Sequence, residues 1–219
     1  MSAHQDHKDK AKEHCTPDEV FVIIKFEASL AQAYRNTINS QTGMMQRTYQ
    51  GQERFFCPEM TCTSGRDNRK RGIGILEFSN IGRAHDWLIS EKNVKQTDWL
   101  YGVDIVIAPA RTPWHTKMQV LELVDWNIIH DPCCFQEDYL NALPDPDPHT
   151  KDPYNTCAAP DYAMQRVRGN WLPRYLVMHQ WVSVDDSYQC SNVQGSRLHD
   201  LAEIANGCVY VAVGEAMCD

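Results

Sequence analysis

A strand–helix–strand segment that occurs twice constrains this chain more than any other feature. In the first occurrence Gly72-Ile73-Gly74-Ile75-Leu76-Glu77-Phe78 is an apolar run of strand character, and Ser79 and Asn80 stand as helix caps. Ile81, Ala84, Trp87 and Leu88 then follow at helical spacing. Tyr101-Gly102-Val103-Asp104-Ile105-Val106-Ile107-Ala108-Pro109, β-branched, opened by Gly and closed by Pro, reads as a second strand. The order returns near the C-terminus, where Leu176 to Trp181 leads through Ser183 and Asp185 to Asn206-Gly207-Cys208-Val209-Tyr210-Val211-Ala212-Val213-Gly214. At an offset of 105, Gly102 falls on Gly207, Val103 on Cys208 and Val106 on Val211. Val20 to Glu27 likewise matches Val120 to Asn127, and Met45-Gln46-Arg47 recurs as Met164-Gln165-Arg166, both read as strand. Two copies of one unit are the economical reading.

Length agrees with that division. A chain of 219 residues accommodates two units of about 100 residues, assigned to 19–110 and 118–219, with Ala108 to Lys117 as the linker between them. A hydrophobic fraction of 42% is enough for a core. The formal charge of −8, with no basic cluster larger than Arg69-Lys70-Arg71, argues against nucleic acid as a partner. No apolar run approaches the ~20 residues that span a bilayer, and the N-terminus is polar where a signal peptide needs an apolar stretch. The expectation is a cytoplasmic protein with no membrane partner. Nine cysteines, an odd number without an export signal, fit reduced thiols.

In chain order, residues 1–18 carry His4, His7, His14 and Cys15 among alternating charges and read as a disordered tail. The spacing of these four matches no standard zinc pattern, and Cys57 and Cys62 are loosely spaced for a zinc knuckle, so no metal site is expected. The strand Val20-Phe21-Val22-Ile23-Ile24-Lys25-Phe26 places Val22, Ile24 and Phe26 on one face. A helix from about Ser29 to Ile38, a strand from Met44 to Tyr49 and a loop of about twenty residues follow. In the second unit Val120 to Trp126 is a strand and Cys133 to Ala142 a helix. The prolines and acidic residues of about 144–160 read as an insertion that holds no helix or central strand.

Strand, helix, strand, strand, helix, strand, occurring twice, is the order of a ferredoxin-like α+β unit. Both halves resemble the dimeric α+β barrel superfamily, and the second half is similar to its EthD-like branch. The resemblance rests on Phe135-x-x-Asp138-Tyr139, on Met164-Gln165-Arg166 and on Leu172-Pro173-Arg174-Tyr175-Leu176-Val177-Met178-His179. It implies two four-stranded antiparallel sheets packed face to face, helices outside, with a tandem chain closing the barrel that single-copy relatives close by dimerising. The partner expectation is therefore a monomeric pseudo-dimer. Superfamily members are often cofactor-free monooxygenases, dehydratases, decarboxylases or cyclases on aromatic and polyketide-like compounds, and some bind haem. The expectation for this chain is no cofactor, haem being possible in such a barrel but not indicated by these residues. One departure stands out: the EthD-like branch typically carries Trp-Tyr-x-x-Glu-His on its first helix, whereas here Tyr139-Leu140-Asn141-Ala142-Leu143 lacks the Glu-His pair.

His179 shares a strand face with Tyr175, Val177 and Trp181, where an imidazole can act as general acid or base or can simply bond across the sheet. His130, at a strand end beside Asp131, is the second proton-transfer candidate. Arg166 and Arg47, at repeated positions, are candidates to hold a substrate carboxylate or enolate. Trp181 and Trp126 are candidates for an aromatic wall, with Tyr139 on the helix above. The reading is a cofactor-independent lyase, cyclase or monooxygenase acting on a hydrophobic aromatic or polyketide-like molecule. The alternative is a non-catalytic binding protein for a small hydrophobic ligand, pigment or haem.

Overall fold

The computed structural model describes residues 18–65, 67–90, 92–93, 102–127, 132–142, 153–191 and 206–215. The tail with His4, His7, His14 and Cys15 lies outside them, as do His130 and Asp131. The first half contains β1 (Val20–Glu27), α1 (Ala31–Tyr49), β2 (Gly51–Cys57), β3 (Thr61–Ser64), β4 (Arg71–Phe78), α2 (Ile81–Leu88) and β5 (Val103–Pro109). The second contains β6 (Val120–Asn127), α3 (Pro132–Ala142), β7 (Tyr154–Pro160), β8 (Gln165–Arg168), β9 (Tyr175–Trp181), α4 (Val184–Ser191) and β10 (Asn206–Val213). Two antiparallel five-stranded sheets result, ordered β2-β4-β1-β5-β8 and β7-β9-β6-β10-β3. Each sheet has four strands of its own half and takes its fifth, an edge strand, from the other.

The exchange is fixed by specific contacts. After β8 the chain turns at Gly169, φ +77, where a Cβ would lie 2.1 Å from Asp104 Oδ1 on the neighbouring strand. That carboxylate accepts hydrogen bonds from the backbone N–H groups of Asn170 and Trp171 at 2.9 and 3.1 Å. Gly65, φ +96, makes the corresponding turn after β3 against Cys208. Only glycine takes these positive-φ positions without strain.

Alternation along the central strands separates two environments. Phe21 and Ile23 of β1 and Leu121 and Leu123 of β6 point between the sheets, where they meet Ile73, Ile75, Val106, Leu176 and Met178 in one buried cluster. Val22, Ile24 and Phe26 point the other way and pack with Phe78 under Tyr34, Ile38 and Met45 of α1 and Trp87 of α2. Full burial of a side chain such as Phe21 or Leu176 contributes about 1.5–3 kcal/mol. On the second sheet, Val124, Trp126, Tyr175 and Val177 pack under Phe135 and Tyr139 of α3. Among the described residues, no helix is long and apolar enough to cross a membrane.

Three sequence expectations need correction. Met44 to Tyr49 is the end of α1 and not a strand. Its buried positions Tyr34, Ile38, Gln41 and Met45 run at helical spacing through Gly43, and the helix stops at Gln50, whose φ of 52 is left-handed. The Met-Gln-Arg repeat thus joins a helix to a strand and marks no equivalence. Residues 154–160 are not an insertion: they form β7, whose Pro160 is tolerated because the strand lies at a sheet edge. Residues 143–152 lie outside the described ones. Finally, Val20 pairs with Pro109 and Val120 with Val213, so β5 and β10 correspond at an offset of 104 when β1 is laid on β6. The 105 offset was one residue out, a slip that exchanges the two faces of a strand.

Candidate functional site

The helix-facing side of the second sheet carries a polar row among aromatics. In the register of β6, β9 and β7, His179 pairs with Glu122 on one side and Asn155 on the other. Tyr139, on α3, lies over the row with its Oη 2.5 Å from His179 Nε2. Glu122 Oε1 lies 3.4 Å from His179 Nδ1, and its other oxygen accepts from Ser187 Oγ of α4 at 2.7 Å. A carboxylate can only accept, so Nδ1 carries the proton and the Nε2 lone pair receives the Tyr139 hydroxyl. Asn155 Nδ2 donates to Tyr139 Oη at 3.4 Å, while Arg111 Nη1 donates to Asn155 Oδ1 at 3.1 Å. Ser187, Glu122, His179, Tyr139, Asn155 and Arg111 therefore form one relay. Its centre is dry, with Tyr139 0% and His179 6% exposed.

Rings hold the relay in place. Trp126 meets Tyr139 edge-on at 5.2 Å, Tyr175 meets Tyr139 edge-on at 5.9 Å, and Trp181 meets His179 edge-on at 6.0 Å. On this face the Tyr175 hydroxyl and the Trp181 indole N–H are buried without a hydrogen-bond partner among the described residues. Burial pushes the Tyr175 hydroxyl well above the usual phenol range. Leaving such groups unpaired costs about 1–3 kcal/mol each, so they mark places where a ligand or water can gain a bond. Beyond Trp181, whose ring packs with Val120, Val184 and Val211, a cleft of about 410 Å³ opens between α4 and β10. Tyr188, Val211 and Val213 line it, and Tyr188 and Val213 also present apolar surface to solvent.

No protein-family model matches the sequence, and no curated protein matches it. Solved structures do. A protein named as a monooxygenase from Fusobacterium nucleatum subsp. nucleatum aligns with TM-score 0.50 at 8% identity, over 91% of this chain and 94% of that one. Its likeness, with the two exchanged sheets, decides the architecture. The fold is the dimeric α+β barrel, closed within one chain. Chlorite dismutase from Candidatus Nitrospira defluvii is also similar, with TM-score 0.49 at 5% identity over 96% of this chain and 95% of that one. An anthrone oxidase-like protein aligns with TM-score 0.47 at 10% identity over 93% of each chain.

The expectation that this barrel works without a cofactor does not stand, because chlorite dismutase is a haem protein and the architecture is no mark of cofactor-free chemistry. His179 does not fit as a haem ligand in this arrangement, since both its ring nitrogens are engaged. Among the described residues, no group of three or more His, Cys, Asp or Glu side chains could hold a metal ion.

Of the residues singled out from sequence, the barrel brings four together: His179, Tyr139, Trp126 and Trp181 share the helix-facing side of the second sheet. His130 lies outside the described residues. Arg166 is elsewhere, exposed on β8 at the edge of the first sheet. Arg47 is also exposed, in the last turn of α1, where its Nε donates to the Gly43 carbonyl at 3.0 Å. Sequence reasoning missed Glu122, Asn155, Ser187 and Arg111. For Glu122 the signal was present: it is a carboxylate at the second of four same-face positions, Val120, Glu122, Val124 and Trp126, in an otherwise apolar strand.

Proposed function

We propose that this chain is an enzyme acting on a small hydrophobic molecule of aromatic or polyketide type, with the Tyr139–His179–Glu122 relay moving the proton. The observation that carries this reading is a histidine with both nitrogens in an ordered, buried chain of donors and acceptors, roofed by aromatic rings and flanked by unpaired polar groups. Tyr139 Oη takes a proton from an acidic C–H or O–H of the substrate as its own proton passes to His179 Nε2. Glu122 stabilises the imidazolium that forms, and the Asn155 N–H donates to the Tyr139 oxygen, which ends the step as a neutral phenol. The substrate is left as an enolate or phenolate, the starting point for oxygenation, elimination or ring closure. The unpaired Tyr175 hydroxyl and Trp181 N–H are the donors available to its oxygen. General acid–base groups of this kind contribute about 100- to 10,000-fold in rate.

In the same reading the halves 19–110 and 118–219 arose by tandem duplication, the second is of the EthD-like branch, and the chain works as a monomeric pseudo-dimer in a reducing compartment. The matched registers β1/β4/β5 and β6/β9/β10 support the duplication. Free Cys57, Cys62, Cys157 and Cys208 support the compartment.

The test is hydrogen–deuterium exchange at the acidic carbon of a panel of aromatic 1,3-dicarbonyl and anthrone-type compounds, followed by NMR with and without air. Exchange catalysed by the wild type and lost in Tyr139→Phe and His179→Gln is expected. Exchange that survives both substitutions would overturn the assignment. The binding-protein alternative is favoured by the near-complete burial of Tyr139 and His179. It becomes the reading to keep if those compounds bind without exchange or turnover.

A further inference from the structure

A second polar cluster lies on the other side of the sheets, at one end of the space between them. A cleft of about 540 Å³ is bounded by Lys25, Arg69, Arg71, Asp104, Arg168 and Trp171. Of the eleven residues that line it four are cationic and two, Glu27 and Asp104, acidic, in a chain whose formal charge is −8. Lys25 is 2% exposed and Arg71 7%. Lys25 Nζ donates to Tyr210 Oη at 3.4 Å and lies 4.7 and 4.4 Å from the ring centres of Trp171 and Tyr210. Among the described residues neither Lys25 nor Arg71 is in an ion pair, and Arg71 Nε is buried without any hydrogen-bond partner.

The carboxylates nearby are committed to other donors. Asp67 accepts from Arg69 Nε at 2.8 Å and from Tyr210 Oη at 2.9 Å. Asp125 Oδ2 accepts from Trp171 Nε1 at 2.7 Å, and Asp104 Oδ1 accepts from the backbone of Asn170 and Trp171. Glu27, which also lines the cleft, is exposed. Two buried cations without a contacting counter-ion are costly to a fold unless an anion completes them. Burial pushes the Lys25 ammonium below its ordinary range, against the opposing pull of Asp125, Asp67 and Asp104.

We propose that this cleft is a binding site for a small organic anion, whose carboxylate or phosphate group reaches Lys25 and Arg71 and whose body rests on Trp171. It is separate from the Tyr139–His179 relay, which occupies the opposite face of the second sheet, and does not depend on what that relay does. Isothermal titration of the full chain with sodium benzoate and with inorganic phosphate, at matched ionic strength, tests it. Saturable binding of one or both is expected, weakened at least tenfold in Lys25→Met and in Arg71→Met and unchanged in Arg174→Met, whose side chain pairs with Asp161 on the surface. Benzoate alone would identify a carboxylate ligand and phosphate alone a phosphate ligand. If a variant fails to fold, the wild-type ¹H–¹⁵N spectrum decides, because the Trp171 indole N–H signal must shift on titration. No binding of either anion, binding indifferent to both substitutions, or a Trp171 signal that stays still at saturation would overturn the proposal.

Discussion

Tyr139→Phe is the sharpest perturbation of the relay because it removes one oxygen and keeps the ring. The packing of that ring against Trp126, Phe135 and Tyr175 survives. What is lost is the acceptor for Asn155 Nδ2 and the donor to His179 Nε2, both in a dry setting. Stranding a buried polar partner costs about 1–3 kcal/mol. For a chain of this size each kcal/mol moves Tm by roughly 2–4 °C, so a fall of roughly 2–12 °C follows. Tyr34→Phe is the matched control: its hydroxyl lies 3.0 Å from Glu53 Oε1 in the first half, equally buried, and its hydrogen-bond partner there is a carboxylate and not an imidazole. The two variants should lose similar stability by urea denaturation, but only Tyr139→Phe should lose proton-exchange activity, by about 100- to 10,000-fold. The ¹⁵N resonances of the His179 ring give a readout that needs no substrate: a protonated Nδ1 and a hydrogen-bonded, unprotonated Nε2, the latter shifting in Tyr139→Phe. Equal activities in the two variants, or a His179 ring protonated at Nε2 and not at Nδ1, would refute the reasoning.

Other consequences are open to direct measurement. Gly207→Ala should destabilise by roughly 1–3 kcal/mol or more, because a Cβ there would lie 1.8 Å from the Asp125 carbonyl oxygen, whereas Gly43→Ala, in a helix with only the Arg47 guanidinium at 3.2 Å, should stabilise by about 0.5–1 kcal/mol; paired urea melts compare them. Arg69 beside Asp67 holds that carboxyl well below the usual carboxylate range. The stability it supplies is full above the unfolded value near pH 4 and is lost as pH falls below it, so Asp67→Asn should flatten the stability profile between about pH 5 and 2; parallel profiles would count against this. Light scattering at micromolar concentration should give the mass of one chain, since the second half already occupies the place of a partner subunit. Arg47→Ala and Arg166→Ala should leave proton exchange unchanged, both side chains being exposed and on other elements than the relay.

The central strands were legible because they are apolar on both sides. Val20 to Phe26 and Gly72 to Phe78 face a helix layer on one side and the opposing sheet on the other, and continuous burial writes itself into composition. Edge strands were not. β2, Gly-Gln-Glu-Arg-Phe-Phe-Cys, and β7, Tyr-Asn-Thr-Cys-Ala-Ala-Pro, each have one neighbouring strand only, and their composition of polar, small and Pro residues resembles a loop. With β2 hidden, the end of α1 filled its place in the strand count. The relay was half legible for the same reason. His179 and Tyr139 stand out on apolar elements, whereas Asn155 lies on the misread edge strand and Ser187 on a short helix of polar residues.

Laying one half on the other shows why the relay occupies only one of them. With β1 on β6, the pairing of Val22 with Leu76 corresponds to that of Glu122 with His179, and Phe78 corresponds to Trp181. Glu53, the partner of Leu76 on β2, corresponds to Asn155, the partner of His179 on β7. Both halves therefore keep a helix tyrosine over an edge-strand polar side chain, Tyr34 with Glu53 and Tyr139 with Asn155. The first half then fills the centre of its sheet with Val22 and Leu76, and sets Gly74 beneath Tyr34, where a Cβ would lie 2.0 Å from the hydroxyl. Its tyrosine is pressed onto the sheet, and its Glu53 is neutralised in place by Arg35 at 2.7 Å. The second half has Val177 at the position of Gly74, which holds Tyr139 off the sheet and over an imidazole. Four side-chain exchanges, Val to Glu, Leu to His, Glu to Asn and Gly to Val, thus separate a packed face from a polar hydrogen-bonded row on one scaffold. Their cost is two buried titratable groups, offset by the Ser187 hydroxyl on Glu122 and the Tyr139 hydroxyl on His179.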